Sequence, residues 1–225
     1  MNRNLAVAAV ALLLIIVAGC MTAKPEGQAR EVAATVNGEP VYFDDVNEFY
    51  SYQSLAEQAR LSKADALSLV IEREILTQEA VKRGFTATKD EIGKDYIAFL
   101  SMNNLTEPEL GSNLAAKNSS TARLKDSLAK RIVINKLLDR IAKKSYVIKK
   151  EEVEAVYNSG TIPQQAECAI GHSPICNFKS AGVSFEAAEK GIVDLLTAQR
   201  QRADTEAYVQ GLKDNAKVAI IAVPG

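Results

Sequence analysis

The residues best suited to chemistry lie in the stretch Cys168-Ala-Ile-Gly-His172-Ser-Pro-Ile-Cys176. We favour a disulfide between Cys168 and Cys176, which would contribute about 2–3 kcal/mol by constraining the unfolded chain. Two alternatives stay open. The two cysteines, His172 and Glu167 are potential ligands for Zn or Cu, although structural zinc sites favour four Cys or His ligands. A redox-active pair would usually have the closer C-x-x-C spacing.

The remaining cysteine, Cys20, lies at the end of an export signal. Arg3 is followed by an apolar run from Leu5 to Ala18 and then by Gly19. A charged start, a short apolar core and a small-residue cleavage site are typical of a secretory signal. The stretch 17–20 resembles a bacterial lipobox, with valine where leucine is preferred. We therefore predict a signal peptide over residues 1–20 and lipidation at Cys20.

Two alternatives to the lipid anchor remain, an uncleaved membrane helix and a soluble secreted form. The run from Leu5 to Cys20 would make about 24 Å of helix, short for a hydrocarbon core of about 30 Å. A lipid anchor or an uncleaved helix would hold the rest of the chain at the extracytoplasmic face of a membrane, on the cell surface or in a periplasm. Disulfides persist in such oxidising compartments, which supports the pairing of Cys168 with Cys176.

Composition narrows the classes of function. The chain has 27 basic and 28 acidic residues and a net charge of −1, which argues against nucleic acid as a partner because binding it requires a concentrated basic face. With one histidine in the chain, few general acid–base mechanisms are available, and we expect no cofactor and no catalytic residue. The lack of Trp and the low content of Gly and Pro indicate a helix-rich protein.

A small sheet should connect the two ends of the folded part. After a polar tether at 21–30, the pair Asn37-Gly38 between two apolar stretches predicts a β-hairpin, because both turn positions need a positive φ. Pro40 indicates that the second strand is short or lies at an edge. The β-branched run Val218–Val223 predicts a terminal strand. A lone hairpin is marginally stable, so we expect this strand to pair with Val32–Val36.

Between these strands the sequence has helical periodicity. Ser62 with Asp65, and Thr88 with Glu91, form capping-box patterns that mark two helix starts, and Gly84 marks a helix end. Periodicity is lost over residues 158–183, which are rich in Gly, Pro, Ser and Asn. The helices are predicted at 44–60, 62–83, 88–102, 107–117, 121–143, 150–157 and 184–212.

The order of these elements resembles the SurA/PrsA family of extracytoplasmic folding factors, and more distantly the chaperone region of trigger factor. The first matching segment is the opening Val36-Asn37-Gly38-Glu39-Pro40-Val41. The other two are the helical pattern from Leu67 to Ile92 and a split end, formed by 150–157 and by 198–218. The resemblance implies a mostly α fold, in which a SurA N-terminal-like helical domain is closed by a small β-sheet.

One departure from the family is informative. Isomerase-bearing members carry a parvulin domain of about a hundred residues between the two parts of the split end, whereas this chain has only residues 158–183 there. We therefore predict a helical chaperone domain at 31–157, a cysteine-containing loop in place of the parvulin domain, and a helix and strand at 184–223 that complete the domain. Isomerase activity is not carried over, although a residual peptidyl-prolyl isomerase remains the runner-up among enzymes.

The resemblance implies binding of unfolded or partly folded exported proteins through an apolar cradle. The alternative function is a scaffold lipoprotein for one specific partner. Aromatic side chains mark binding surfaces when they are exposed together, but at helical spacing they more often belong to the core. The candidate client-binding residues are Phe49, Tyr50, Tyr52, Tyr96 and Phe99.

Overall fold

The N-terminal hairpin forms because the Asn-Gly turn can adopt the backbone it needs. In the computed structural model, which describes residues 30–51, 55–159 and 182–223, Asn37 has φ 53° and Gly38 has φ 93°. Positive φ at both positions defines the type I′ turn, whose twist matches that of the two flanking strands. The strands are β1 (Val32–Val36) and β2 (Glu39–Tyr42), and their pairing confirms the predicted hairpin.

The C-terminal strand, β3 (Val218–Ile220), pairs antiparallel with β1 and completes a sheet of order β2-β1-β3. This confirms the predicted meeting of the two ends, and it places β2, with Pro40, at an edge. The strand is shorter than the predicted Val218–Val223. The register of β1 shifts at Ala33, whose carbonyl accepts hydrogen bonds from the amides of both Ile221 (2.8 Å) and Ala222 (3.1 Å). The regular ladder ends there, as expected beside a bulge.

Helix boundaries follow the capping residues named from the sequence. The hydroxyls of Ser62 and Thr88 each accept a hydrogen bond from the amide three residues on. The carboxylates of Asp65 and Glu91 accept one from the backbone N–H of the cap residue, so both capping boxes are present. Gly84 has φ 83°, as its predicted position beyond a helix end requires. The helices are α1 (Phe43–Ser51), α2 (Leu55–Gln58), α3 (Lys63–Lys82), α4 (Lys89–Met102), α5 (Glu107–Ala116), α6 (Thr121–Ala142), α7 (Lys150–Ser159) and α8 (Phe185–Asn215).

One predicted helix is described only in part. The helix expected at 44–60 is described as two segments, α1 and α2, separated by residues 52–54, which the structure does not describe. The carbonyl of Ser51, the last described residue of α1, accepts a hydrogen bond from Lys117 Nζ at 3.0 Å. A side chain from a distant part of the chain therefore contacts α1, and local sequence cannot reveal such a contact.

The core of the domain is built around α3. One apolar cluster joins the sheet, α1 and α3, and a second joins α3, α6 and α8, with half-buried Leu212 packed against both. The described residues from Glu31 onward belong to one compact unit. Two further clusters lie away from the sheet, one between α4, α5 and α6 and one between α7 and the start of α8. Together these features confirm a mostly helical fold with a small antiparallel sheet.

Candidate functional site

Two of the candidate aromatic residues lie on α1 and pack beside the sheet. Phe49 and Tyr50 are half-buried against the cluster formed by the sheet, α1 and α3. The Tyr50 hydroxyl donates a hydrogen bond to the carbonyl of Gln58 at 2.9 Å, which ties α1 to the end of α2. Each ring therefore presents one side to the core and retains some surface.

The other two candidates on described residues lie on α4, in a different apolar cluster. Phe99 is half-buried, whereas Tyr96 is only 5% exposed and packs with Leu110 and Leu124. The ammonium group of Lys125 lies 4.6 Å from the centre of the Tyr96 ring, a cation–π contact. Tyr96 is thus a core residue with little surface for a ligand. This agrees with the expectation that aromatic residues at helical spacing more often belong to the core.

The structure does not bring the four described aromatics together into one surface. Phe49 and Tyr50 belong to the cluster beside the sheet, and Tyr96 and Phe99 to the cluster between α4, α5 and α6. Client binding by these residues stays a prediction. The remaining sequence-based site residues are Tyr52, Cys20, Cys168 and Cys176, with His172 of the metal alternative, and they lie outside the described residues.

Polar contacts hold α1 against the start of α6. Arg123 Nη2 lies 3.0 Å from Asp45 Oδ1 and 2.8 Å from Glu48 Oε2. The Ser119 hydroxyl donates a hydrogen bond to the other Glu48 oxygen at 2.6 Å. One guanidinium that binds two carboxylates of neighbouring turns fixes the helix axis as well as its rotation. These contacts position the aromatics of α1.

A second polar seam lies between α3 and α6. Arg73 Nη2 donates to the backbone carbonyl of Ser127 at 2.8 Å and to its hydroxyl at 2.6 Å, and Lys130 Nζ lies 3.2 Å from Glu74 Oε2. Burial lowers the pKa of the Arg73 guanidinium from its ordinary value, with nearby carboxylates acting in the opposite direction. These hydrogen bonds and the ion pair join the two helices, and we assign them to packing.

The α3–α8 contact includes a third cluster, built around Glu79. The Tyr208 hydroxyl donates to Glu79 Oε1 at 3.0 Å, and Arg83 Nε donates to the same oxygen at 2.5 Å while the guanidinium lies 5.1 Å from the Tyr208 ring centre. The hydrogen bond from Arg83 lowers the pKa of Glu79, and burial raises the pKa of Tyr208. The cluster ties the long C-terminal helix to α3.

The most concentrated exposed apolar surface lies at the end of the chain, where sequence reasoning placed a strand but no site. Val218, Ile220, Ile221 and Val223 are 40%, 59%, 61% and 54% exposed. Other large exposed apolar side chains in the described residues are scattered, such as Ile97 on α4. The signal was present in the sequence as an apolar run without a charged residue or proline from 218 to 223. Its exposure follows from the position of β3 at the sheet edge.

Other kinds of site receive little support from the described residues. Within 30–51, 55–159 and 182–223, no group of three or more His, Cys, Asp or Glu side chains could hold a metal ion. A shallow depression of about 390 Å³ lies on α5 beside Leu105 and Pro108. None of the described helices is both long and apolar enough to cross a membrane.

The fold defines a helical domain whose sheet is closed by both ends of its chain, and comparison with known families agrees. The sequence model of the SurA-like N-terminal domain matches residues 1–138, and the chain belongs to this family. A chain from a solved structure, described with the SurA-like chaperones PEB4 and Cj1289 of Campylobacter jejuni, is 12% identical with a TM-score of 0.47. The match covers 84% of this chain and 98% of that one. No curated protein matches the sequence.

Proposed function

We propose that the chain is a membrane-tethered, extracytoplasmic chaperone-like protein that binds unfolded or partly folded exported polypeptides without isomerase catalysis. The observation that carries the proposal is its membership of the SurA-like N-terminal domain family. The export signal predicted to end at Cys20 supports the location. The half-buried aromatics of α1 and α4 and the exposed apolar strand β3 support the mode of binding, because clients without a common sequence must be held mainly by apolar contact.

The proposed lack of isomerase catalysis rests on length. Helix α7 ends at Ser159 and α8 begins at Phe185, so the interval is far too short for a domain of about a hundred residues. The chain also has a single histidine, His172, in that interval. A proline-peptide isomerisation assay tests this part, and turnover above the uncatalysed rate would contradict it.

Suppression of aggregation tests the holdase function. A chain that starts at residue 21 keeps the whole compact unit that begins at Glu31. It can be mixed at one to two molar equivalents with a chemically denatured client protein that is then diluted into buffer. Light scattering should fall several-fold with each of several unrelated clients, and serum albumin at the same concentration is the control. An unchanged scattering curve with all clients would contradict the proposal.

The candidate aromatics can be compared with a neighbour on the same helix. Phe99→Ala removes a half-buried ring, whereas Ile97→Ala removes a side chain that is 64% exposed on the same helix, α4. If Phe99 contacts clients, its variant loses suppression while Ile97→Ala keeps it, at a temperature where circular dichroism shows both variants folded. Equal activity of the two variants would remove Phe99 from the client-binding surface.

Tethering is tested by the variant Cys20→Ala in cells that express the full chain. Lipidation at Cys20 predicts incorporation of labelled fatty acid and membrane fractionation, both lost in the variant. Retention of an unlabelled Cys20→Ala chain in the membrane, at unreduced mass, would instead favour the uncleaved helix. Capture of one stoichiometric protein from membranes, with no suppression of aggregation, would favour the scaffold alternative.

A further inference from the structure

The two edges of the sheet differ in how well they are protected against another strand. β2 forms one edge and carries Glu39 and Pro40, a charge and a residue without an N–H group. Charged residues and proline are the usual devices that prevent edge-to-edge pairing. β3 forms the other edge and has neither within Val218–Ile220. The residue types of β3 therefore do not prevent pairing with another strand.

The hydrogen-bond pattern shows which backbone groups of β3 face away from the sheet. Asn37 N donates to Lys217 O at 2.8 Å, and Ile221 N donates to Ala33 O at 2.8 Å. In an antiparallel pair, alternate residues bond to the partner strand, so Lys217, Ala219 and Ile221 face β1. The N–H and C=O groups of Val218 and Ile220 consequently point away from β1, along an edge that no other described strand occupies.

The side chains around this edge match an apolar strand on both faces of the sheet. Val218 and Ile220 lie on one face and Ala219 and Ile221 on the other, since successive residues alternate. Val218, Ile220 and Ile221 are each at least 40% exposed. A strand added here would gain backbone hydrogen bonds that do not depend on its sequence. Because both faces of the sheet are apolar at this edge, an apolar face of the added strand would cover apolar surface in either orientation.

We propose that the outer edge of β3 captures an extended, apolar segment of an unfolded polypeptide, which adds to the sheet as a fourth strand beside Val218–Ile220. The proposal rests on the proposed holdase function and names the chemistry of its client, an extended backbone with free N–H and C=O groups. A second copy of the chain is a poorer occupant. Pairing of two three-residue strands would bury on the order of a few hundred Å², against about 1,200 Å² or more in stable dimers.

The first test uses a labelled synthetic peptide of alternating valine and threonine with lysine at each end. Its control is the same peptide with alternate backbone nitrogens methylated, which keeps the side chains but removes the hydrogen-bond donors of one edge. Fluorescence anisotropy with the chain that starts at residue 21 should show binding that weakens at least tenfold on methylation. Equal binding of the two peptides would overturn the proposal, because side-chain contact alone would then suffice.

The second test compares two substitutions at one position. Ile220→Pro removes the outward N–H, and it leaves the bonds to β1 intact because Ile220 does not donate to that strand. Ile220→Thr keeps the N–H and the preference for a strand. The proline variant should bind the peptide at least tenfold more weakly than the threonine variant, with unchanged circular dichroism. Equal affinities would overturn the proposal.

Hydrogen exchange locates the contact even if a variant fails to fold. In the unsubstituted chain, saturating peptide should slow exchange of the Val218 and Ile220 amides at least tenfold while leaving that of Ala219, already bonded to β1, little changed. Protection confined to α1 or α4 would overturn capture at this edge and leave the holdase function standing. Dimerisation that Ile220→Pro abolishes would also overturn it, by assigning the edge to a second copy. Failure of the unsubstituted chain to suppress aggregation would contradict the proposed function itself, whatever the exchange pattern.

Discussion

Leu137 on α6 provides the strongest test of the packing that holds the three long helices together. Its side chain is fully buried and packs with Leu76, Ala80 and Val133, and half-buried Tyr208 of α8 completes the contact. The substitution Leu137→Ala deletes three carbon atoms, worth about 2.4 kcal/mol of transfer free energy at about 0.8 kcal/mol for each. Incomplete collapse of the surrounding helices adds a cavity term, so we expect a loss of about 3–5 kcal/mol.

The matched control is Leu69→Ala on α3, the same chemical change at a side chain that is 42% exposed. Because water can fill the space that the shortened side chain leaves, this substitution should lower the free energy of unfolding by less than about 1 kcal/mol. Urea unfolding followed by circular dichroism measures both, and with a slope of about 2 kcal/mol/M the Leu137 variant should unfold at least about 1.5 M earlier. A cost below about 1 kcal/mol, or equal costs for the two variants, would refute the mutual packing of α3, α6 and α8.

Three further outcomes are expected. The hydrogen bond from Lys136, with those from Thr88, lowers the pKa of Glu91 from 4.5 to about 2. The ionised Glu91 carboxylate therefore stabilises the folded state fully above pH 4.5, and this contribution is lost as the pH falls towards 2. Carbon-detected NMR titration should give this midpoint and a higher one in Lys136→Met; an unchanged midpoint would contradict the assignment. Gly38→Val, at φ 93°, should cost about 1–2 kcal/mol in urea unfolding, and wild-type stability would argue against the turn. Ser62→Ala should cost about 1 kcal/mol through the lost cap, whereas Ser68→Ala, within α3, should be near neutral; equal losses would contradict capping.

Local features of the fold were predictable because a few neighbouring residues determine them. The Asn37-Gly38 turn depends on two residues that tolerate positive φ, and the capping boxes at Ser62 and Thr88 depend on side chains three residues apart. The pairing of β3 with β1 was also predictable, since a hairpin and a lone strand stabilise each other. Family resemblance then supplied the arrangement of helices that periodicity alone could not.

The rest depends on contacts between distant parts of the chain. Periodicity marks an apolar face, but it does not tell whether that face meets one neighbouring helix or several. Tyr96 is a core residue because α5 and α6 both pack beside it, and its own helix does not predict this. The hydrogen bond from Lys117 to the Ser51 carbonyl of α1 joins residues far apart in the chain. The regular pairing of β3 ends beside the bulge at Ala33, and no residue type near Ile221 indicates this end in the sequence. The exposed edge of β3 likewise follows from strand order.

The central claim is recognition of the unfolded state, and a comparison of one client in two states tests it most directly. A disulfide-bonded protein can be offered in native form and in reduced, alkylated form, which stays unfolded in the same buffer. Analytical ultracentrifugation with the chain that starts at residue 21 should show a complex with the unfolded form and none with the native form. Binding to neither form, or equal binding to both, would contradict the account.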